Sequence, residues 1–236
     1  MSHITAIGAH PDDIEIFMYG LLAACQARGD TLTLIIATDG AAGHDAEAST
    51  TAKALAKKRQ EETTRALAPL GKPILLGLGD GQLAHDPNAF RAILAVLKAT
   101  PADLVVTHDP NDYHPDHRAL SQLVANAIGF RSPLLYADTL LGVDFTPQFY
   151  VDITPYMPAK EQAIMAHASQ DPTRFVTATR LHNQFRAAQM NAPIAKGHYV
   201  ECYRSGGRFP FADVRGLLPP PPPLRPFYVV GGPGLI

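Results

Sequence analysis

Two short segments hold most of the side chains able to ligate a cation or move a proton. The first, Ala9-His10-Pro11-Asp12-Asp13-Ile14-Glu15, sets an imidazole beside two adjacent carboxylates, with a proline fixing the turn. The second, His108-Asp109-Pro110-Asn111-Asp112-Tyr113-His114-Pro115-Asp116-His117, spaces two imidazoles at i and i+3, on one side of a helix if a helix begins there. Imidazole and carboxylate donors together suit zinc or ferrous iron and leave coordination positions for water and substrate. Asp12 and Asp13 are neighbours and should point differently, so one can ligate while the other accepts a proton. Either segment alone also reads as ordinary Asp-Pro turn chemistry. Their placement in the fold decides between the two readings.

Short apolar strand patterns alternate with alanine-rich helical ones. Ile4–Ala9 reads as a strand, Ile14–Arg28 as a helix, Thr31–Ala37 as a second buried strand and residues 38–49 as a loop. A charged helix follows over Thr51–Leu70, stopped by Gly71. Then come a strand beginning at Ile74–Leu76, a helix over Ala89–Ala99, a strand over Asp103–Thr107 and a helix over Asp116–Gly129. The second half predicts strands at Leu134–Thr139, Phe149–Ile153 and His198–Arg204, with a helix at Ala159–Ser169. Repeated strand–helix units specify an α/β fold, a Rossmann-like three-layer α/β/α sandwich with a mostly parallel sheet. Such sheets bind ligands outside the carboxyl ends of their strands. Both His/Asp segments directly follow strands, so they should converge at that edge.

At this point the residues resemble a known family, the PIG-L/LmbE-like zinc-dependent N-deacetylases. His10-Pro11-Asp12-Asp13 with Glu15, and His114-Pro115-Asp116-His117, carry the resemblance. Arg59-x-x-Glu62, Leu78-Gly79-Asp80-Gly81, Lys160, His167-Ala168-Ser169-Gln170 and Tyr199-Val200-Glu201 extend it over about residues 3–205. The resemblance implies a metal, usually zinc with Fe2+ or another divalent ion as alternatives, held by His10, Asp13 and His117. It implies Asp12 as general base and His114, in its protonated form, as the group that polarises the amide or protonates the leaving amine. Asp116 would orient His114. Arg59 and Asp80 become substrate contacts, although Arg59 also fits a solvated run, Lys57-Lys58-Arg59. Tyr113 could reach the oxyanion or simply pack beside the turn, His167 reads as shaping the pocket floor, His44 and His85 fit the rim but read rather as solvated surface, and His108 reads as a hydrogen-bonded structural histidine. The implied activity is removal of an N-acetyl group from a GlcNAc-type amino-sugar conjugate by metal-activated water.

Composition narrows the classes. Twenty basic and 22 acidic residues give a net charge of −2, which excludes a general nucleic-acid surface. Apolar residues at 46% against 18% charged supply a substantial core. No apolar run approaches the roughly 18 residues that span a bilayer. With two cysteines and no basic-then-apolar leader, the chain reads as cytoplasmic. Of 21 prolines, seven lie in the last 18 residues, so residues 1–205 read as the catalytic domain and 206–236 as a proline-rich arm in polyproline II. Phe227-Tyr228-Val229-Val230 in that arm points to packing on this chain or a neighbouring subunit, hence a homo-oligomer. Three other readings compete: an amidase of a larger N-acyl or thiol conjugate, a ferrous oxygenase and a binding module docking through Pro219–Pro226. The oxygenase triad commonly sits on a jelly roll with His-x-Asp spacing, unlike the β/α alternation here.

Overall fold

A run such as Leu34-Ile35-Ile36-Ala37 offers no polar face to water, so its strand must be covered on both sides. The computed structural model, which describes residues 1–43, 50–190, 197–207 and 214–221, supplies both covers. Its strands are β1 (His3–Gly8), β2 (Thr31–Thr38), β3 (Ile74–Leu78), β4 (Leu104–His108), β5 (Leu134–Ala137), β6 (Phe149–Asp152) and β7 (Val200–Ser205). Its α-helices are α1 (Asp13–Phe17), α2 (Tyr19–Ala27), α3 (Ala52–Ala66), α4 (Ala89–Ala99), α5 (Pro115–Ile128), α6 (Met157–Met165) and α7 (Pro172–Gln189). The sheet runs β3-β2-β1-β4-β5-β7-β6. β1 to β5 pair in parallel, and β7 lies antiparallel between β5 and β6. Leu34 and Ile36 pack toward α1, α2 and α6 on one face, Ile35 and Ala37 toward α4 and α5 on the other. This is the three-layer arrangement expected from the strand–helix alternation.

Two features differ from the sequence reading, the continuity of the first helix and the presence of α7. The helix expected over Ile14–Arg28 breaks at Met18, whose backbone sits at φ −135°, ψ −8°. The Glu201 carboxylate accepts the Gly20 and Leu21 N–H groups just beyond that break, so α2 starts on a buried anion where a continuous helix would have no place for one. Helix α7 was not expected. Its buried face is Thr179, His182, Asn183, Arg186 and Ala187, largely polar, so no apolar period marks it. Packing also continues past residue 205. Val214 and Leu218 enter the larger core, and Arg28 Nη2 donates to the Leu217 carbonyl at 2.7 Å. Phe227–Val230, and the oligomer reading built on them, lie outside the described residues. Cys25 and Cys202 are both buried and free. Among the described residues no helix is long and apolar enough to cross a membrane.

Candidate functional site

β1 and β4 are neighbours in the sheet, so their carboxyl ends bring the two His/Asp segments together. Asp12 takes φ 126°, a conformation that L residues rarely adopt, and its carboxylate has different partners from that of Asp13. Asp13 Oδ2 accepts the His10 N–H at 2.6 Å and lies 3.1 Å from His108 Nε2, while Oδ1 lies 3.2 Å from His117 Nε2. His10 Nδ1 is 3.3 Å from Asp13 Oδ2 and 3.3 Å from His117 Nε2. An ion held tetrahedrally by bonds of about 2.0–2.2 Å separates its donors by roughly 3.3–3.6 Å. A triangle of His10, Asp13 and His117 is thus near donor spacing, with His10 and His117 each against a different Asp13 oxygen; among the described residues the groups whose donor atoms lie close enough to share a cation are His10–His114–His117, Asp13–His108–His117 and His10–Asp80–Asp116. His108 is less suited, because its Nε2 already accepts the Ala9 N–H at 3.1 Å.

Each candidate ligand ring turns its other nitrogen to carboxylate. His117 Nδ1 is 3.0 Å from Asp112 Oδ2, and His10 Nε2 is 3.2 Å from Asp80 Oδ1 and 3.4 Å from Asp116 Oδ2. Burial disfavours charge on these rings, but the acids outweigh it. Asp116, Asp13 and Asp80 raise His10 well above 6.5, and Asp13 with Asp112 raises His117 to about 9. Against the burial of its own carboxyl, His117, His108 and His10 hold Asp13 well below the ordinary 3.8. Buried carboxylates that favour positive charge at the donor atoms meet the electrostatic demand of a dication. Outer partners of this kind fix ring orientation and basicity. Asp112→Asn should weaken zinc binding by about 10–100-fold, read by competition with a chromophoric chelator; an unchanged affinity would remove Asp112 from the site.

Burial pushes Asp12 up to about 6, with the Arg59 guanidinium opposing it. Arg59 is not part of a solvated run. Lys57 and Lys58 are exposed, whereas α3 turns Arg59 inward, where it is 4% exposed. It donates to the Gly40 carbonyl at 3.0 Å, the Pro11 carbonyl at 2.9 Å and Asp12 Oδ2 at 3.2 Å. Gly40 is at φ 71°, and a Cβ there would stand 2.9 Å from Pro11 Cδ, so the loop needs glycine to let Arg59 reach across. Beneath, Glu15 accepts from Thr63 Oγ1 at 3.0 Å and pairs with His167 Nε2 at 2.8 Å, while Glu62 takes the Ser169 N–H and hydroxyl. These contacts join α1, α3 and the segment before α7 into one floor.

The expected orientation of His114 by the Asp116 carboxylate is not formed. That carboxylate instead accepts the Gly81 and Leu83 N–H groups at 2.6 and 3.2 Å and faces His10. Only the Asp116 backbone N–H reaches His114, donating to Nδ1 at 3.2 Å as the first turn of α5 is capped. With Nδ1 accepting, the neutral ring carries its proton on Nε2. Burial, reinforced by His10 and His117, lowers the His114 pKa, which favours the neutral ring.

These groups line a cavity of about 190 Å³. Its polar side is His10, Asp12, Arg59, Asp80, His114 and His117, and its apolar side Ile16, Phe17, Leu140 and Phe175, with Gln170 between. Tyr113 lines it at the rim and is half-exposed. Asp80 lines it too, yet is already engaged by His10 and by the Ala42 N–H at 3.0 Å. His85 is exposed and outside the cavity, and His44 lies outside the described residues. Sequence reasoning missed Asp112, although a metal-binding histidine's need for a second-nitrogen partner could have singled it out. It also missed Phe17, Leu140 and Phe175, which no sequence signal separates from core residues.

Comparison with known proteins adds to this geometry. The family described as "PIG-L: GlcNAc-PI de-N-acetylase" matches residues 5–128. Diacetylchitobiose deacetylase from Thermococcus kodakarensis is 30% identical over 189 residues, 72% of this chain and 70% of its own. The probable N-acetyl-alpha-D-glucosaminyl L-malate deacetylase 2 of Bacillus anthracis is 28% identical, over 75% of this chain and 85% of its own. Among solved structures, N,N'-diacetylchitobiose deacetylase from Pyrococcus horikoshii aligns with TM-score 0.76 at 24% identity, covering 86% of this chain and 83% of that one. GalB, the 4-carboxy-2-hydroxymuconate hydratase of Pseudomonas putida, aligns with the same TM-score at 19% identity, covering 91% and 100%. The structural likenesses show the fold, and GalB shows that this fold also carries a reaction other than deacetylation.

Proposed function

The chain belongs to the PIG-L family, and from that membership and the site geometry we propose that it is a metal-dependent N-deacetylase of an amino-sugar conjugate, with zinc as its ion. The observation that carries this reading is the donor triangle of His10, Asp13 and His117, with Asp12 beside it and held by a different partner. An ion bound there would act as a Lewis acid and lower the pKa of a coordinated water toward about 7. Asp12 supplies the base. Burial has brought its carboxyl close to neutrality, where a base is most effective, and Arg59 fixes its direction. His114 Nε2–H donates a hydrogen bond to the amide oxygen as charge develops, and Asp12, once it has taken the proton of the attacking water, returns that proton to the leaving nitrogen. Asp80 and Asp116 hold His10, while Tyr113 and the apolar wall take the carbon faces of the substrate. The GlcNAc-type substrate is supported by the relatives' names, which include a chitobiose and a glucosaminyl-malate deacetylase.

The test is a panel of N-acetyl amino sugars and their conjugates assayed for free amine. Metal-free enzyme is run beside enzyme reloaded with zinc or ferrous ion. Amine release should vanish with the metal and return with zinc. Turnover that survives complete metal removal, or hydration of an unsaturated carboxylic acid with no amide cleavage, would reject the proposal.

A further inference from the structure

The buried end of the catalytic cavity is mostly polar. His10, Asp12, Arg59 and His117 line it, each more than nine-tenths buried. The apolar lining divides by depth. Leu140 and Phe175 are partly exposed, whereas Ile16 and Phe17 are buried. A substrate keeps the rest of its conjugate toward solvent, so the acyl group enters first. The acyl methyl lies one bond from the carbonyl carbon that water attacks beside Asp12. Among the described lining residues, Ile16 and Phe17 are the apolar surface at that depth.

Helical spacing aims Phe17 at the site. One turn of α1 separates it from Asp13, so the two side chains share a face. Its ring centroid is 5.8 Å from that of His117 and 5.6 Å from that of His108, near perpendicular to both. The ring is also backed. α1 ends at Phe17, whose carbonyl accepts the Tyr203 hydroxyl at 3.3 Å. A second void that Phe17 borders, walled also by Asp138, Lys160 and Glu201, holds about 10 Å³. That is room for one water at most, and it cannot receive a phenyl ring.

Building on the deacetylase reading, we propose that Phe17 sets the length of the acyl group that the site accepts. Its ring closes the inner end of the cavity behind the acetyl methyl and bars longer chains. The chemistry is unchanged: water cleaves the amide C–N bond to give a carboxylate and an amine.

Turnover and binding are read separately to test this. The N-acetyl, N-propionyl and N-butyryl derivatives of glucosamine and of chitobiose are assayed for free amine with zinc-loaded native, Phe17→Leu and Phe17→Ala enzyme. Calorimetry on the same three proteins measures affinity for acetate, propionate and butyrate, the matching products. Native kcat/KM should fall about tenfold or more from acetyl to propionyl, the discrimination that one methylene gives in a closed pocket. Phe17→Ala should cut the acetyl-over-butyryl ratio about tenfold or more, and product affinities should shift toward butyrate in parallel. Phe17→Leu keeps more of the core volume, should move both readings the same way, and carries the test if the alanine variant does not fold. Native enzyme that cleaves butyryl and acetyl amides equally overturns the proposal, and so do ratios that neither variant moves. If no amide is cleaved but the variants still turn product binding toward butyrate, the deacetylase reading falls and Phe17 stands as the wall.

Discussion

Asp12→Asn should lower kcat by about 10²–10⁴-fold while leaving the bound metal near its normal content. Asp12 is not a corner of the donor triangle, and its contact is Arg59 Nη2 at 3.2 Å. An asparagine oxygen accepts that bond as well and keeps the side chain in place. What it removes is a basic oxygen close to neutrality. Asp13→Asn is the informative contrast. Asp13 meets His10 and His117 at 3.3 and 3.2 Å and accepts the His10 N–H, so the neutral amide weakens the metal and turnover together. Metal content by elemental analysis beside single-turnover rates distinguishes the two. Equal metal loss in both variants would show that Asp12 ligates and would return the base assignment to another group.

The convergence of the two His/Asp segments was legible in sequence because they sit at strand ends, where an α/β sheet has no choice but to present them. The next layer was less so. Asp116 lies two residues from His114 in sequence, which suggests a contact, yet α5 starts between them and swings its carboxylate to Gly81 and His10. Arg59 follows two lysines and looks solvated. Helical geometry nevertheless places it about 100° from its neighbour, enough to bury it while Lys57 and Lys58 stay in water. Asp80 is the converse case. The resemblance made it a substrate contact, and the fold added His10 and Ala42 as partners through contacts more than 30 residues distant.

The same distinction holds for the fold. Strands covered on both faces announce themselves by unbroken apolar runs, and β1, β2 and β4 fall within a residue or two of expectation. Helix α7 could not be read that way, because what holds it is polar. Asp138 receives Arg186 through both carboxylate oxygens and faces His182 at 2.9 Å, and Asn183 donates to the Val200 carbonyl. Hydrophobic periodicity is blind to a helix anchored by buried charge.

The largest stability effect should come from another such anchor. Glu201→Gln is expected to cost about 3–5 kcal/mol. Its Oε1 accepts from Gly20 N–H at 2.9 Å and Lys160 Nζ at 2.6 Å, its Oε2 from Leu21 N–H at 2.7 Å and the Tyr203 hydroxyl at 2.7 Å. Either orientation of a glutamine leaves two buried donors facing an NH₂ group, and Lys160, fully buried, loses its counter-charge. Lys160→Met should cost less, since the carboxylate keeps three donors. Burial already lowers the Lys160 pKa, with Glu201 opposing, so removing Glu201 lowers it further. The unfolded chain then holds a proton that the folded one does not, up to the ordinary value near 10.4, and stability must rise with pH in that interval. Urea midpoints of Glu201→Gln should therefore recover between about pH 7 and 10, more steeply than those of the native protein. A flat profile would mean that Lys160 stays charged by finding another partner or water. Metal affinity should fall in the same variant, because the Glu201 contacts fix the start of α2 and thereby the short α1 that begins with Asp13.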